Sequence, residues 1–129
     1  MNVVADTHAW VWWIMRSENL SKSAEESLSS ADKVLVCAIS LWEVAMLMDK
    51  GRIPVHRSVR DFLGDAIAPG RIEVVPITPG IAARSGELGQ TMHGDPADRL
   101  IAATALELSV PLVTRDARLT GLAGLRTIW

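Results

Sequence analysis

Short apolar runs that alternate with helical segments limit the folds open to this chain more than any other feature. Five runs are predicted as strands, over residues 2–5, 33–38, 71–77, 110–114 and 125–128. Strands that are apolar on both faces and separated by helices indicate a mostly parallel sheet with helices on each side. A length of 129 residues suits one domain, so we expect a single domain over 1–129.

Helix signals fill the stretches between these runs. The predicted helices cover residues 7–16, 23–31, 40–50, 58–68, 79–88 and 95–108, with a short helix or turn at 116–122. Ser23 with Glu26 forms a capping-box pattern, and Gly51 suits the position just after a helix. Pro79 suits the first turn of the helix that it opens.

Four acidic residues fall at equivalent places in this pattern. Asp6 ends the first strand, and Glu43 lies in the first turn of the helix after the second strand. Asp98 lies in the first turn of its helix, and Asp116 follows the fourth strand. Because sites in such folds lie at the carboxyl ends of the strands, we expect all four at one edge. Clustered carboxylates repel one another unless a cation neutralises them, and Mg²⁺ or Mn²⁺ prefers oxygen ligands. Such ions activate water and stabilise an in-line displacement at phosphorus, so the pattern predicts metal-assisted phosphodiester hydrolysis.

Each acid also has a purely structural alternative. Glu43 follows Ser40 by three residues, as in a capping box. Asp95 precedes Pro96 and suits an N-cap, and Asp116 suits an Asx turn. The sequence leaves the capping and catalytic roles of Asp95 and Asp116 open.

The net charge of −2 argues at first against a nucleic-acid partner. If the four acids and Asp95 share one pocket, however, the 13 Lys and Arg residues outnumber the remaining acids among the 15 in the chain. A metal site within a mildly basic surface is compatible with a substrate that carries phosphate.

The same residues also resemble a known family. The segments 6–10 (DTHAW), 40–45 (SLWEVA), 93–103 (HGDPADRLIAA) and 112–116 (LVTRD) are similar, in order, to the four motifs of PIN-domain ribonucleases, in particular the VapC-type toxins of VapBC toxin–antitoxin pairs. The resemblance covers nearly the whole chain.

This resemblance implies a three-layer α/β/α sandwich and a Mg²⁺- or Mn²⁺-dependent endoribonuclease that acts on RNA. It also implies a homodimer that a partner antitoxin inhibits. By position, Asp6, Glu43, Asp98 and Asp116 would be the metal ligands and catalytic acids. Thr114 would be a polar helper beside the metal, and Asp95 an additional acid.

Other residues near these acids have weaker signals. Arg99 and Arg115 flank the acids and are candidates to orient carboxylates or bind phosphate. His8 and His93 lie near the predicted site without a required role. Tryptophans at positions 10, 12 and 13 suggest a buried helix or one shared with a partner, and Trp42 is expected in the core.

Three competing functions are weighed against the nuclease. A phosphoaspartate enzyme or receiver domain would use Asp6 as nucleophile or phosphoacceptor, but His8 stands where the enzyme usually has a second Asp, and no Lys follows Lys50. A ribonuclease-H-like fold would begin with antiparallel hairpins, and a non-catalytic binding module would need no metal.

The only cysteine, Cys37, is predicted to be a buried apolar residue. No targeting or membrane-spanning segment is evident, so we expect a cytoplasmic protein.

Overall fold

The structure of the chain is a computed structural model that describes residues 1–92 and 94–129. The strands are β1 (Val3–Ala5), β2 (Val34–Cys37), β3 (Ile72–Val75), β4 (Leu112–Val113) and β5 (Thr127–Ile128). The helices are α1 (Thr7–Ile14), α2 (Lys22–Ser30), α3 (Ala38–Asp49), α4 (Val59–Ile67), α5 (Pro79–Glu87) and α6 (Pro96–Leu108). Single 3-10 turns cover Gly89–Thr91 and Ala117–Leu119. The predicted alternation of strands and helices is confirmed, although every strand is shorter than its apolar run.

The five strands form one sheet in the order β3-β2-β1-β4-β5, and every pair of neighbours is parallel. The chain moves outward from β1 to β3 and then crosses back to place β4 on the other side of β1. The boundary between β1 and β4 is therefore the point at which the strand order reverses. In open α/β sheets, ligands bind at the carboxyl ends of the strands beside such a point.

Two layers of helices cover the sheet, as the predicted α/β/α sandwich requires. Side chains alternate along β1, so that Val3 and Ala5 join one apolar cluster while Val4 joins the other. The first cluster receives side chains from α1, α2 and α4, and the second receives them from α5 and α6. This alternation explains why the strands are apolar throughout, since both of their faces lie against helices.

Two helix starts differ from the prediction. The N-cap of α2 is Ser21, whose hydroxyl oxygen accepts a hydrogen bond from the backbone N–H of Ala24, so the proposed cap at Ser23 is wrong. Helix α3 begins at Ala38, directly after β2, with no side-chain cap at Cys37. The pairing of Ser40 with Glu43 as a capping box is therefore also wrong, and Glu43 lies in the second turn.

The tryptophans divide between the core and the surface. Trp10 is fully buried in the first cluster, and Trp12 and Trp13 are partly buried. Trp42 on α3 is 57% exposed, so its expected place in the core is wrong.

Cys37 is buried, and burial raises the pKa of its thiol to about 11, as expected of an apolar core residue. Within the described ranges, no helix has the length and apolar character needed to cross a membrane.

Candidate active site

A cleft of about 430 Å³ opens at the carboxyl edge of the sheet, beside the boundary between β1 and β4. The structure brings all five acids singled out in the sequence to its walls, namely Asp6, Glu43, Asp95, Asp98 and Asp116. The other lining residues are polar, cationic or aromatic, and they are Thr7, His8, Trp12, Arg115 and Arg118. Acids from positions up to 110 residues apart in sequence therefore share one cleft.

Asp6 lies at the base of the cleft, one residue beyond β1. Its Oδ1 accepts a hydrogen bond of 2.7 Å from the Thr7 backbone N–H at the start of α1. Its Oδ2 accepts one of 2.6 Å from the hydroxyl of Thr114, which follows β4. Burial nevertheless raises the pKa of Asp6, and the two hydrogen bonds oppose that increase. The two hydrogen bonds fix the orientation of the carboxylate but do not offset the cost of burying its negative charge. A bound cation would offset that cost.

Glu43 is held by a chain of hydroxyl groups that the sequence did not reveal. The Thr7 hydroxyl donates to a carboxylate oxygen of Glu43. The fully buried Ser40 hydroxyl lies 2.8 Å from the Thr7 hydroxyl, and it donates because the Thr7 hydrogen is already used. Burial raises the pKa of Glu43, and the negative charge of Asp6 adds to that increase. Ser40 thus supports the acid through Thr7 rather than capping α3.

Asp95 and Asp98 lie at the start of α6. Asp95 is the N-cap, and its Oδ1 accepts a hydrogen bond of 3.1 Å from the Asp98 backbone N–H. Its structural role is therefore established, while its carboxylate also lines the cleft. Burial raises the pKa of Asp98 to about 7, and the negative charges of the four other acids, led by Asp95, contribute to that increase. The pKa of Asp98 is thus raised first by burial and then by the negative charges of its neighbours.

Asp116 forms the predicted Asx-type turn and faces the cleft as well. Its Oδ1 accepts a hydrogen bond of 2.9 Å from the Arg118 backbone N–H. Its backbone N–H donates to the Thr114 hydroxyl at 3.0 Å, so Thr114 links Asp116 to Asp6. The predicted place of Thr114 as a polar neighbour of the acids therefore agrees with the structure.

The two candidate arginines occupy different places. Arg115 lines the cleft, and its guanidinium lies 5.9 Å from the centre of the Trp12 ring. Arg99 does not line the cleft, because its guanidinium donates hydrogen bonds to the carbonyl oxygens of residues 85, 89 and 92. It therefore ties α6 to the segment before it. His8 is exposed at the cleft. His93, the other histidine expected near the site, lies outside the described residues.

Sequence reasoning missed Arg118. Its guanidinium donates to both carboxylate oxygens of Asp116 and approaches Asp98, so it contacts two of the acids directly. Its position two residues after Asp116 was the available signal, because an Asx turn brings residues so spaced together.

The donor set suits a hard divalent cation. Within 1–92 and 94–129, no three Asp, Glu, His or Cys side chains already form a metal-binding group. Mg²⁺ usually binds through one or two carboxylates and keeps several waters, so it does not require three direct side-chain ligands. The observation that supports such an ion is electrostatic, since the pKa of Asp98 reaches about 7 among four other carboxylates.

The sequence of the chain matches the PIN domain family over residues 3–125, and the chain belongs to that family. Its curated relatives include Ribonuclease VapC22 from Mycobacterium tuberculosis, to which it is 39% identical over 117 residues. The match covers 91% of this chain and 88% of that relative.

Solved structures with the same fold include toxin–antitoxin complexes. The TM-score is 0.73 with DNA-bound VapBC from Salmonella typhimurium, at 18% identity and with 98% of this chain and 96% of that chain covered. It is 0.70 with VapC20 from Mycobacterium tuberculosis, described as a Sarcin-Ricin loop cleaving toxin, at 14% identity and with 96% and 98% covered. At these identities the structures establish the shared fold, and this fold agrees with the predicted PIN-like sandwich.

Proposed function

We propose that this chain is a divalent-metal-dependent endoribonuclease and the toxin of a type II toxin–antitoxin pair. The observation that carries the proposal is the convergence of five carboxylates on one cleft at the carboxyl edge of the sheet. Five carboxylates in one cleft repel one another unless a cation is bound, so their convergence indicates a cation-binding site. Membership of the PIN family and the relation to Ribonuclease VapC22 support RNA as the substrate.

Four acids would hold the metal, namely Asp6, Glu43, Asp98 and Asp116. A bound Mg²⁺ or Mn²⁺ would supply an activated water at neutral pH and neutralise the charge that develops at phosphorus. The protein contributes fixed ligand geometry: Thr114 and the Thr7 N–H hold Asp6, and the Thr7 hydroxyl holds Glu43. Such neighbours of metal ligands orient them and tune their affinity.

Arg115 is placed to bind a substrate phosphate. It is exposed at the cleft, beside acids that would otherwise repel a polyanion. An arginine guanidinium matches the geometry of phosphate oxygens and can bind two of them at once.

The expected partners are RNA, an antitoxin protein and a second copy of the chain. VapBC complexes among the structural neighbours pair a chain of this fold with an antitoxin. The exposed Trp42 and Met46 lie one helical turn apart on α3 and offer apolar surface for a protein contact. A cytoplasmic location is expected, because that is where RNA and an antitoxin would be encountered.

The alternative of a phosphoaspartate domain is less well supported. Asp6 is 9% exposed, and both of its carboxylate oxygens already accept hydrogen bonds. Among the described residues that line the cleft, the cations are arginines rather than the lysine that such a domain would use.

The test is cleavage of a total-RNA pool by purified, antitoxin-free protein with Mg²⁺, Mn²⁺ or EDTA. We expect discrete products that require a divalent ion. The rate of cleavage should fall at least about a hundredfold in the Asp98→Asn variant, because loss of a metal ligand should have a larger effect than loss of a residue that only orients one. The matched control is Glu26→Gln, which removes the same charge from an exposed site on α2 that forms a 4.0 Å ion pair with Lys22. Circular dichroism of both variants establishes that they fold.

Either of two results would contradict the proposal. One is undiminished metal-dependent cleavage by Asp98→Asn. The other is the absence of cleavage by folded protein in both metals, which would favour a binding role for the cleft.

A further inference from the structure

Arg118 makes an unusual set of contacts for a residue on the protein surface. Its Nε and one terminal nitrogen donate to the two oxygens of Asp116 at 3.0 and 2.9 Å. The same terminal nitrogen lies 3.5 Å from Oδ2 of Asp98. The guanidinium therefore lies between two of the proposed metal ligands and makes a two-pronged contact with one of them.

The exposure of the three side chains is unequal. Asp98 and Asp116 are only 18% and 17% exposed, whereas Arg118 is 63% exposed. The acids are fixed in the cleft wall, but the arginine reaches them from solvent on a flexible stem. Movement of the guanidinium away from the acids would uncover little apolar surface.

A second arginine in the same cleft provides the contrast. Arg115 is also exposed and lines the cleft, yet its guanidinium lies over the Trp12 ring at 5.9 Å. The chain thus places two arginines at one site and engages them differently. A general need for positive charge at the cleft does not explain why Arg118 contacts the acids.

We propose that Arg118 is a counter-cation of the metal-free cleft and that a divalent ion must displace it from Asp98 and Asp116. The guanidinium and a divalent ion are both cations and would share the same two carboxylates, so their mutual repulsion weakens the contact of Arg118 with the acids when the ion binds. Arg118 therefore keeps the metal-free acids together at the cost of metal affinity. It sets the concentration of Mg²⁺ or Mn²⁺ at which the cleft becomes loaded.

This inference rests on the proposed function, because it requires that the acids bind a divalent ion. The first experiment is titration calorimetry of Mg²⁺ and of Mn²⁺ into the wild type, Arg118→Ala and Arg115→Ala. We expect Arg118→Ala to bind the ion at least about fivefold more tightly than the wild type. We expect Arg115→Ala to stay within about twofold, because that arginine lies over a ring and not on the acids. The two variants change the net charge equally, so equal gains would reflect general electrostatics.

The second experiment measures thermal unfolding of the same proteins in EDTA and at saturating metal. In EDTA, Arg118→Ala should unfold at a lower temperature than the wild type, because its acids have lost their counter-cation. At saturating metal that difference should disappear, because the ion replaces the guanidinium. A residue with a merely structural role would lower the unfolding temperature equally in both conditions.

The outcomes separate this inference from the proposed function. Metal binding of equal strength in the wild type and Arg118→Ala, or equal gains in both arginine variants, would overturn the displacement by Arg118 and leave the metal centre intact. Metal binding by Arg118→Ala but not by the other two proteins would support the proposal, because it would mean that Arg118 competes with the ion strongly enough to prevent binding. Binding by none of the three proteins would overturn both the metal centre and the role of Arg118.

Discussion

Thr114 donates its hydroxyl hydrogen to Asp6 across the boundary between β4 and β1, at 2.6 Å, although the two residues are 108 positions apart in sequence. The same hydroxyl accepts a hydrogen bond from the Asp116 backbone N–H at 3.0 Å. One buried oxygen atom therefore fixes two of the proposed metal ligands relative to each other. The distance between them depends on correct pairing of β1 with β4.

Loss of this hydroxyl tests its importance. Thr114→Val preserves the shape of the side chain but removes the donor to Asp6 and the acceptor for the Asp116 N–H. We expect cleavage to fall about 10- to 100-fold, as is usual when a neighbour of a metal ligand is lost. The free energy of unfolding, measured in urea, should fall by about 1–3 kcal/mol because a buried hydrogen-bonding group is left unpaired. Thr114→Ser is the control, and a Val variant as active as the Ser variant would contradict this role.

The raised pKa of Asp98 predicts a pH dependence of metal binding. Below a pKa of about 7 the carboxyl is protonated, so an ion has to compete with a proton. Affinity for Mg²⁺ should therefore increase as the pH rises from 5.5 and level off above about 7.5. Calorimetry across this range measures the effect, and Asp98→Asn should bind weakly with a smaller dependence. Affinity that is constant between pH 5.5 and 8 would contradict the raised pKa.

The same pKa predicts the opposite trend for the stability of the metal-free protein. The folded state raises the pKa of Asp98 above its usual 3.8, so this carboxyl contributes most to stability when it is protonated. Its contribution is lost as the pH rises through about 7. In EDTA, the unfolding temperature of the wild type should fall relative to that of Asp98→Asn between pH 5 and 8. A difference between the two that does not change with pH would contradict this linkage.

The two roles of Asp95 can be separated by substitution. Asp95→Ser retains a good N-cap and removes the charge, whereas Asp95→Ala removes both. We expect the Ser variant to keep wild-type stability, and the Ala variant to lose about 1 kcal/mol of unfolding free energy, measured in urea. Because Asp95 is the leading charge that raises the pKa of Asp98, metal binding in the Ser variant should level off at a lower pH. A Ser variant with an unchanged pH profile would contradict that influence.

Two tryptophans should differ sharply in their effect on stability. Trp10 is fully buried, and Trp10→Ala should lower the free energy of unfolding by about 3–5 kcal/mol. Trp42 is 57% exposed, and Trp42→Ala should change it by no more than about 0.5 kcal/mol. Urea denaturation of the protein without a partner measures both. A large loss of stability in the Trp42 variant would place that side chain in the core.

The fold was predictable because its signals are local. An apolar run such as Val34–Cys37 indicates a strand buried on both faces, and parallel strands bring their carboxyl ends to one edge. The convergence of Asp6 and Asp116 on that edge follows from strand order alone. These inferences need no knowledge of any side-chain contact.

Other features depend on contacts between distant segments and left no local signal. Helix α3 begins directly after β2 without a capping side chain, so nothing in the sequence marked Ala38 as its first residue. The apolar character of Trp42 suggested burial, but the exposed face of α3 depends on how that helix packs. The hydroxyl chain from Ser40 through Thr7 to Glu43 was visible only as polar residues near an acid, whereas Arg118 had a local signal in its spacing from Asp116.

The link between Thr114 and Asp6 also orders the events of folding. Asp6 is synthesised before its hydroxyl partner Thr114, which follows strand β4 and lies 108 positions further along the chain. Pairings between such distant parts of a chain form slowly, because a long loop has to close first. A partly synthesised chain therefore lacks Thr114 and Asp116, and the complete set of acids assembles only when β4 docks beside β1. The pairing of β4 with β1 is thus also the step at which the acid cluster needed for RNA cleavage would become complete.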